Sequence, residues 1–194
     1  MTAFMTAAAA ALPLLACARV ALAADPDVHR QKAQTCVACH GPEGNSVNPA
    51  VPSLAGQPKQ FITTQLVMFR ERKRKDPQMS PIAANLSNAD INDFGAYFSS
   101  QKPAPPAHKI APDKIAVSQR LAEQNHCVSC HGPELKGQQH IPRLAGQQSA
   151  YLRAQLRGFK ASTRFDMDGQ MTSAAQALSD ADIELLADYL SGLQ

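Results

Sequence analysis

Cys36-Val37-Ala38-Cys39-His40 and Cys127-Val128-Ser129-Cys130-His131 are one pattern, C-x-x-C-H, written twice in a chain of 194 residues. Gly-Pro-Glu follows each time, at 41–43 and 132–134. The correspondence continues outward: Val51-Pro52-Ser53-Leu54-Ala55-Gly56-Gln57 pairs with Ile141-Pro142-Arg143-Leu144-Ala145-Gly146-Gln147, and Met79 to Ser99 with Met171 to Ser191. His131 lies 91 residues after His40, while the later blocks are offset by 90 and then 92. A repeat of that length is too long for a solenoid unit, so each copy is expected to be a compact domain and the pair a tandem duplication. Lys102-Pro103-Ala104-Pro105-Pro106-Ala107 separates them, its prolines favouring an extended connector. The expected division is a leader at 1–23, a first domain at 24–106 and a second at 107–194.

Residues 4–18, FMTAAAAALPLLACA, are apolar and uncharged, and Ala21-Leu22-Ala23-Ala24 precedes a polar Asp25-Pro26-Asp27. This reads as a secretory signal peptide cut after Ala23 or Ala24, the run being short and Ala-rich for a membrane span. No Lys or Arg precedes the run, and Leu14-Leu15-Ala16-Cys17 resembles a lipoprotein processing site, so a lipidated Cys17 and a retained anchor are rival readings.

Helices account for the remaining pattern. Ser87-Asn88-Ala89-Asp90 and Ser179-Asp180-Ala181-Asp182 each offer an N-cap hydroxyl with Asp three positions on. Apolar residues then recur at helical spacing, Ile91, Phe94 and Phe98 in one copy and Ile183, Leu186, Leu190 and Leu193 in the other. Middle helices are expected around Phe61, Ile62, Leu66 and Phe69, and around Tyr151, Leu152, Leu156 and Phe159. A further helix should run from about Lys114 into the second cysteine pair, with a shorter counterpart near 29–35. Alternating strand-like runs are absent, and both domains are expected to be all-α.

The formal net charge is only +3, from 19 basic and 16 acidic side chains, which excludes a nucleic-acid binder working by phosphate neutralisation. The one dense charged run is Arg70-Glu71-Arg72-Lys73-Arg74-Lys75. It suits a solvated helix end, and also haem propionates, an acidic redox partner or peripheral contact with an anionic membrane.

Chemistry follows from the pentapeptides. Two thiols a helical turn apart can bond the vinyl-derived carbons of a haem while the adjacent imidazole binds its iron. Zinc ligation and dithiol exchange compete for the same residues, although no strand-to-helix unit accompanies either pair. A low-spin iron needs a second axial ligand. Met79 lies 39 residues after His40 and Met171 lies 40 after His131, so symmetry selects this pair. Met68 reads as core packing, and Met167 is the substitute ligand nearest to Met171. The carbonyls of Pro52 and Pro142 are expected to hold the second nitrogen of each imidazole. Gly56 and Gly146 fit either close backbone approach to a haem edge or an ordinary turn.

Together these residues resemble a di-haem cytochrome of the c4 type, two class I cytochrome c domains in tandem. The resemblance spans Thr35 to Leu193 and rests on C-x-x-C-H-G-P-E, Pro-x-Leu-Ala-Gly-Gln, Gln65-Leu66 with Gln155-Leu156, and Leu-Ser-x-Ala-Asp-Ile before each final helix. It implies two covalent c-type haems with iron, bound by Cys36, Cys39, His40 and Met79 and by Cys127, Cys130, His131 and Met171. It also implies a non-enzymatic electron carrier in the periplasm, serving respiratory redox proteins, in some cases a terminal oxidase. The cytochrome subunit of a flavin-containing sulfide dehydrogenase, or of another periplasmic dehydrogenase, is the competing role. One departure stands out: Arg72-Lys73-Arg74-Lys75-Asp76 lacks the glycine often found ahead of the methionine.

Overall fold

The computed structural model describes Met1 and residues 26–194. The leader, its cleavage point and Cys17 lie outside the described residues. Within them the regular structure is helical, apart from one isolated bridge between Gln138 and Ile141. The first copy contributes α1 (Pro26–His40), a 3-10 turn (Pro42–Gly44), α2 (Lys59–Arg70), α3 (Met79–Ala83) and α4 (Asn88–Ser100). The second contributes α5 (Pro112–Gln124), α6 (Cys127–His131), α7 (Ser149–Lys160), α8 (Gln170–Gln176) and α9 (Asp180–Ser191). No helix among the described residues is long and apolar enough to cross a membrane.

The final helices start where the capping residues place them. Ser87 and Ser179 accept the N–H of Asp90 and Asp182, and each aspartate returns a bond to its serine's backbone, closing a reciprocal capping box. Ile91, Phe94 and Phe98 then face α1 and α2. Ile183, Leu186 and Leu190 likewise face α5 and α7. Gly56 (φ +65) and Gly146 (φ +67) turn the shared Leu-Ala-Gly-Gln loop back onto these helices, donating to the Phe98 and Leu190 carbonyls at 2.9 Å in both copies. A Cβ on Gly56 would meet Pro103 Cγ at 2.6 Å, so this glycine also lets the connector lie close.

Two expectations about the helices carrying the cysteines are corrected. In the first copy α1 is the longer element and runs unbroken through Cys36 and Cys39 to His40. In the second the helix stops at Gln124: Asn125 gives both its N–H (3.1 Å) and its side-chain amide (2.9 Å) to the Leu121 carbonyl, and His126 breaks the helix with a left-handed conformation (φ 56). Asn and His tolerate that region better than most residues, whereas Thr35 at the equivalent place is β-branched, stays helical and bonds the Lys32 carbonyl.

The two copies meet about a pseudo-twofold relation. Gln57 Nε2 donates to the Arg143 carbonyl and Gln57 Oε1 accepts the Arg143 N–H, both at 2.9 Å. Gln147 repeats this with Ser53, at 2.9 and 2.8 Å. The Phe61 N–H donates to the Gln139 carbonyl and the Tyr151 N–H to the Pro49 carbonyl, each 3.1 Å. All these partners are 90 residues apart in the two copies, so one set of interactions is used twice.

Candidate cofactor site

Each pentapeptide delivers its histidine to the same setting. His40 and His131 are buried, 6% and 3% exposed. The Nδ1 of His40 donates to the Pro52 carbonyl and that of His131 to the Pro142 carbonyl, at 2.8 Å in both cases. A carbonyl only accepts, so the proton resides on Nδ1 and Nε2 presents a lone pair. Burial holds both imidazoles below their ordinary pKa, outweighing the opposing effect of the proline carbonyls, so they are neutral at neutral pH. Proline suits this acceptor position because its ring fixes the local backbone angle.

The thiols are arranged asymmetrically within each pair. Cys36 packs against the cluster of Ala33, Ile62, Phe94 and Phe98, and Cys127 against that of Ala122, Leu152 and Ile183, while Cys39 and Cys130 are exposed. Burial pushes the Cys36 and Cys127 thiols up. A raised thiol is a poor thiolate donor and a poor dithiol nucleophile. Among the described residues no three His, Cys, Asp or Glu side chains converge to hold a metal ion. A buried neutral imidazole, one thiol seated in an apolar cluster and a second thiol open to modification fit covalent haem attachment instead.

The methionine loops also correspond. Met79 begins α3, and its N–H donates to Asp76 Oδ1 at 2.8 Å. Met171 lies in the first turn of α8, and its N–H donates to Asp166 Oδ2 at 2.8 Å. Both methionines are half-buried. Met68 is buried in α2 with Gln65 Nε2 3.8 Å from its sulfur, whereas Met167 is 72% exposed. The missing glycine does not abolish the turn: Arg72 adopts the left-handed conformation (φ 55) and Ser162 does the same in the second copy (φ 53).

The basic run divides by direction. Arg70 turns in to the Leu86 carbonyl and Asn88 Oδ1, and Arg74 reaches the second domain, while Arg72, Lys73 and Lys75 face solvent. Sequence reasoning gave no role to Asp76, three residues before Met79, or to Asp166, five before Met171. It also treated Arg74 as one charge in a run, although its counterpart Arg164 is isolated in sequence.

The cytochrome c family model matches residues 30–102 and 115–194. A relative named cytochrome c4, from Thiocapsa roseopersicina, is 36% identical over 181 residues, 87% of this chain and 93% of its own length. A protein named thiosulfate dehydrogenase electron acceptor, from Thiomonas intermedia, is 35% identical over 172 residues, covering 82% of this chain and 79% of that one. The crystal structure of reduced recombinant cytochrome c4 from Pseudomonas stutzeri superposes with a TM-score of 0.81 at 33% identity, over 89% of this chain and 100% of that one.

Proposed function

The chain belongs to the cytochrome c family as two such domains in tandem, and from that premise we propose that it is a periplasmic carrier passing single electrons between respiratory redox proteins. Each domain takes one covalently attached c-type haem, whose iron supplies the one-electron chemistry. The observation that carries the reading is the buried imidazole of each copy, tied through Nδ1 to a proline carbonyl. Cys36 and Cys39, and Cys127 and Cys130, are assigned to covalent attachment. His40 and His131 are assigned as proximal ligands, and Met79 and Met171 as the sixth ligands. The domains divide at residue 106.

The protein's part is to hold these groups still. The proline carbonyls fix the imidazole tautomer and orientation, and Asp76 and Asp166 fix the backbone from which each thioether projects. Were His40 with Met79 and His131 with Met171 to hold the irons as assigned, the chain would leave no ligand position open for substrate, which favours a carrier over an enzyme. The exposed Arg72, Lys73 and Lys75 on the first domain suit docking by an acidic partner such as a membrane-bound terminal oxidase. The relative named as an acceptor for thiosulfate dehydrogenase favours a second reading, in which a periplasmic dehydrogenase is the electron donor.

A pyridine haemochrome assay is expected to give two c-type haems per chain, and their absence would overturn the reading. Ligand-sensitive spectroscopy should show Met79→Ala and Met171→Ala each losing one methionine-ligated iron, with Met167→Ala losing none. Rapid reduction by a thiosulfate-oxidising dehydrogenase, without matching transfer to an oxidase, would select the second reading.

A further inference from the structure

The bonds that grip one domain to the other are symmetric, but one side chain among them is not. Gln57 and Gln147 each take a backbone N–H and a carbonyl of the opposite copy, so the same grips would serve a contact between two first domains or two second domains. The residues gripped are Arg143 and its counterpart, Ser53. The Ser53 hydroxyl turns back into its own domain and accepts the Ser46 N–H at 3.2 Å. Arg143 reaches across instead: its Nη2 donates to the Ala55 carbonyl at 2.9 Å and its Nη1 to the Ala145 carbonyl. Ala55 and Ala145 are themselves equivalent, so the guanidinium bridges matching atoms of the two copies and occupies the pseudo-twofold position.

That position is buried and shared. Arg143 is 7% exposed, and its Nε is buried without a hydrogen-bond partner. It takes part in no ion pair among the described residues. Burial draws the guanidinium down to about 10, which leaves it charged at neutral pH. Two carbonyl oxygens, one from each domain, therefore hold one buried cation. A second guanidinium at the same place would find both acceptors taken and a like charge beside it. A contact with no arginine would leave both carbonyls without these donors, which is also unfavourable in a buried setting.

We propose that Arg143 facing Ser53 is a docking key: the interface accepts one arginine, so the second domain pairs with the first domain of this chain and rejects the second domain of another copy. Two second domains would bring two buried guanidinium groups to one pair of carbonyls. Two first domains would bring none. Only the unlike pair supplies a single cation, and like charges set face to face exclude a wrong partner without strengthening the right one. A tandem duplication has a use for such a device. Because the glutamine grips are self-complementary, two chains would otherwise be free to join like with like into a closed dimer.

The test uses the full haem-loaded chain, with haem content and helical content measured first so that misfolding is separated from undocking. Ser53→Arg places two arginines at the pseudo-twofold position, and is expected to part the domains, seen as faster proteolysis of the 102–107 connector and a larger radius in solution scattering. Ser53→Ala, which removes the same hydroxyl without adding a cation, should stay closed. Ser53→Arg combined with Arg143→Ser moves the key to the other domain and should close the molecule again, a rescue that an ordinary interface contact does not give. A second arm leaves position 53 untouched. Arg143→Ser, as an equal mixture of isotopically labelled and unlabelled chains at about millimolar concentration, comparable with the effective concentration of tethered domains, should give cross-links between like domains of differently labelled chains. The unsubstituted protein should give none. A closed Ser53→Arg chain, a double variant that stays open, or Arg143→Ser chains that cross-link no differently from the unsubstituted protein would each overturn the proposal.

Discussion

Asp76 and Asp166 each accept the N–H of the methionine assigned to an iron, at 2.8 Å in both copies. Asp76 also accepts the Gln78 N–H, and Asp166 accepts from Thr172 twice, so one carboxylate anchors several atoms of each loop. A hydrogen bond to a charged acceptor contributes roughly 1.5–3 kcal/mol, and its loss falls on a loop too short to find substitutes. Asp76→Ala and Asp166→Ala should therefore leave haem attached while loosening the thioether. The expected outcome is an increase of about tenfold or more in the rate at which imidazole from solution binds the corresponding iron, following from that loss of roughly 1.5 kcal/mol or more. Stopped-flow mixing measures it, and unchanged rates would show that the loop is held by other contacts.

At the scale of elements, the starts of α4 and α9 were legible in the sequence because a capping box is a local device: Ser87 and Asp90, and Ser179 and Asp182, need only each other, whereas α9 ends at Ser191, before the Leu193 that the apolar spacing had included. The break at His126 was not legible. It turns on the left-handed backbone of His126, beside an Asn125 that gives both its N–H and its side-chain amide to the Leu121 carbonyl, a local choice that a repeat alignment does not reveal. The cysteines and histidines were legible because their chemistry lies in five consecutive residues. The meeting of Arg74 with Tyr151 lies 77 positions apart and became visible only with the domains docked. The caps yield a prediction with a definite sign. The Ser87 hydrogen bond, followed by that of Lys32, holds the Asp90 carboxyl at about 2, down from 3.8. A depressed folded-state value means that this stabilisation is present above pH 3.8 and is lost as the pH falls toward about 2. Ser87→Ala should cost about 1 kcal/mol at neutral pH. In denaturant titrations the gap from the unsubstituted protein should narrow between about pH 4 and pH 2, and a gap constant across that range would contradict the mechanism.

At the scale of the whole molecule, the duplication builds an interface out of the same loop that orients the buried histidine. Pro52 and Ser53 are adjacent, as are Pro142 and Arg143, so the carbonyl orienting each imidazole sits next to a residue gripped by the opposite domain's glutamine. Domain docking and histidine positioning are thereby mechanically connected in both directions. Gln57 and Gln147 each satisfy one backbone N–H and one carbonyl across the interface, and Ser53 and Arg143 are buried. Truncating either glutamine leaves two buried polar groups unpaired, at roughly 1–3 kcal/mol each. The unsubstituted haem-loaded protein should unfold in a single calorimetric transition, because neither domain loses this interface without exposing four such groups. Gln57→Ala with Gln147→Ala should split that transition in two and open the 102–107 connector to proteolysis, while haem content stays unchanged. A double variant that still unfolds in one step would place the coupling elsewhere, in the Arg74–Tyr151–Gln155 contacts, and Arg74→Gln would then be the substitution that uncouples the domains.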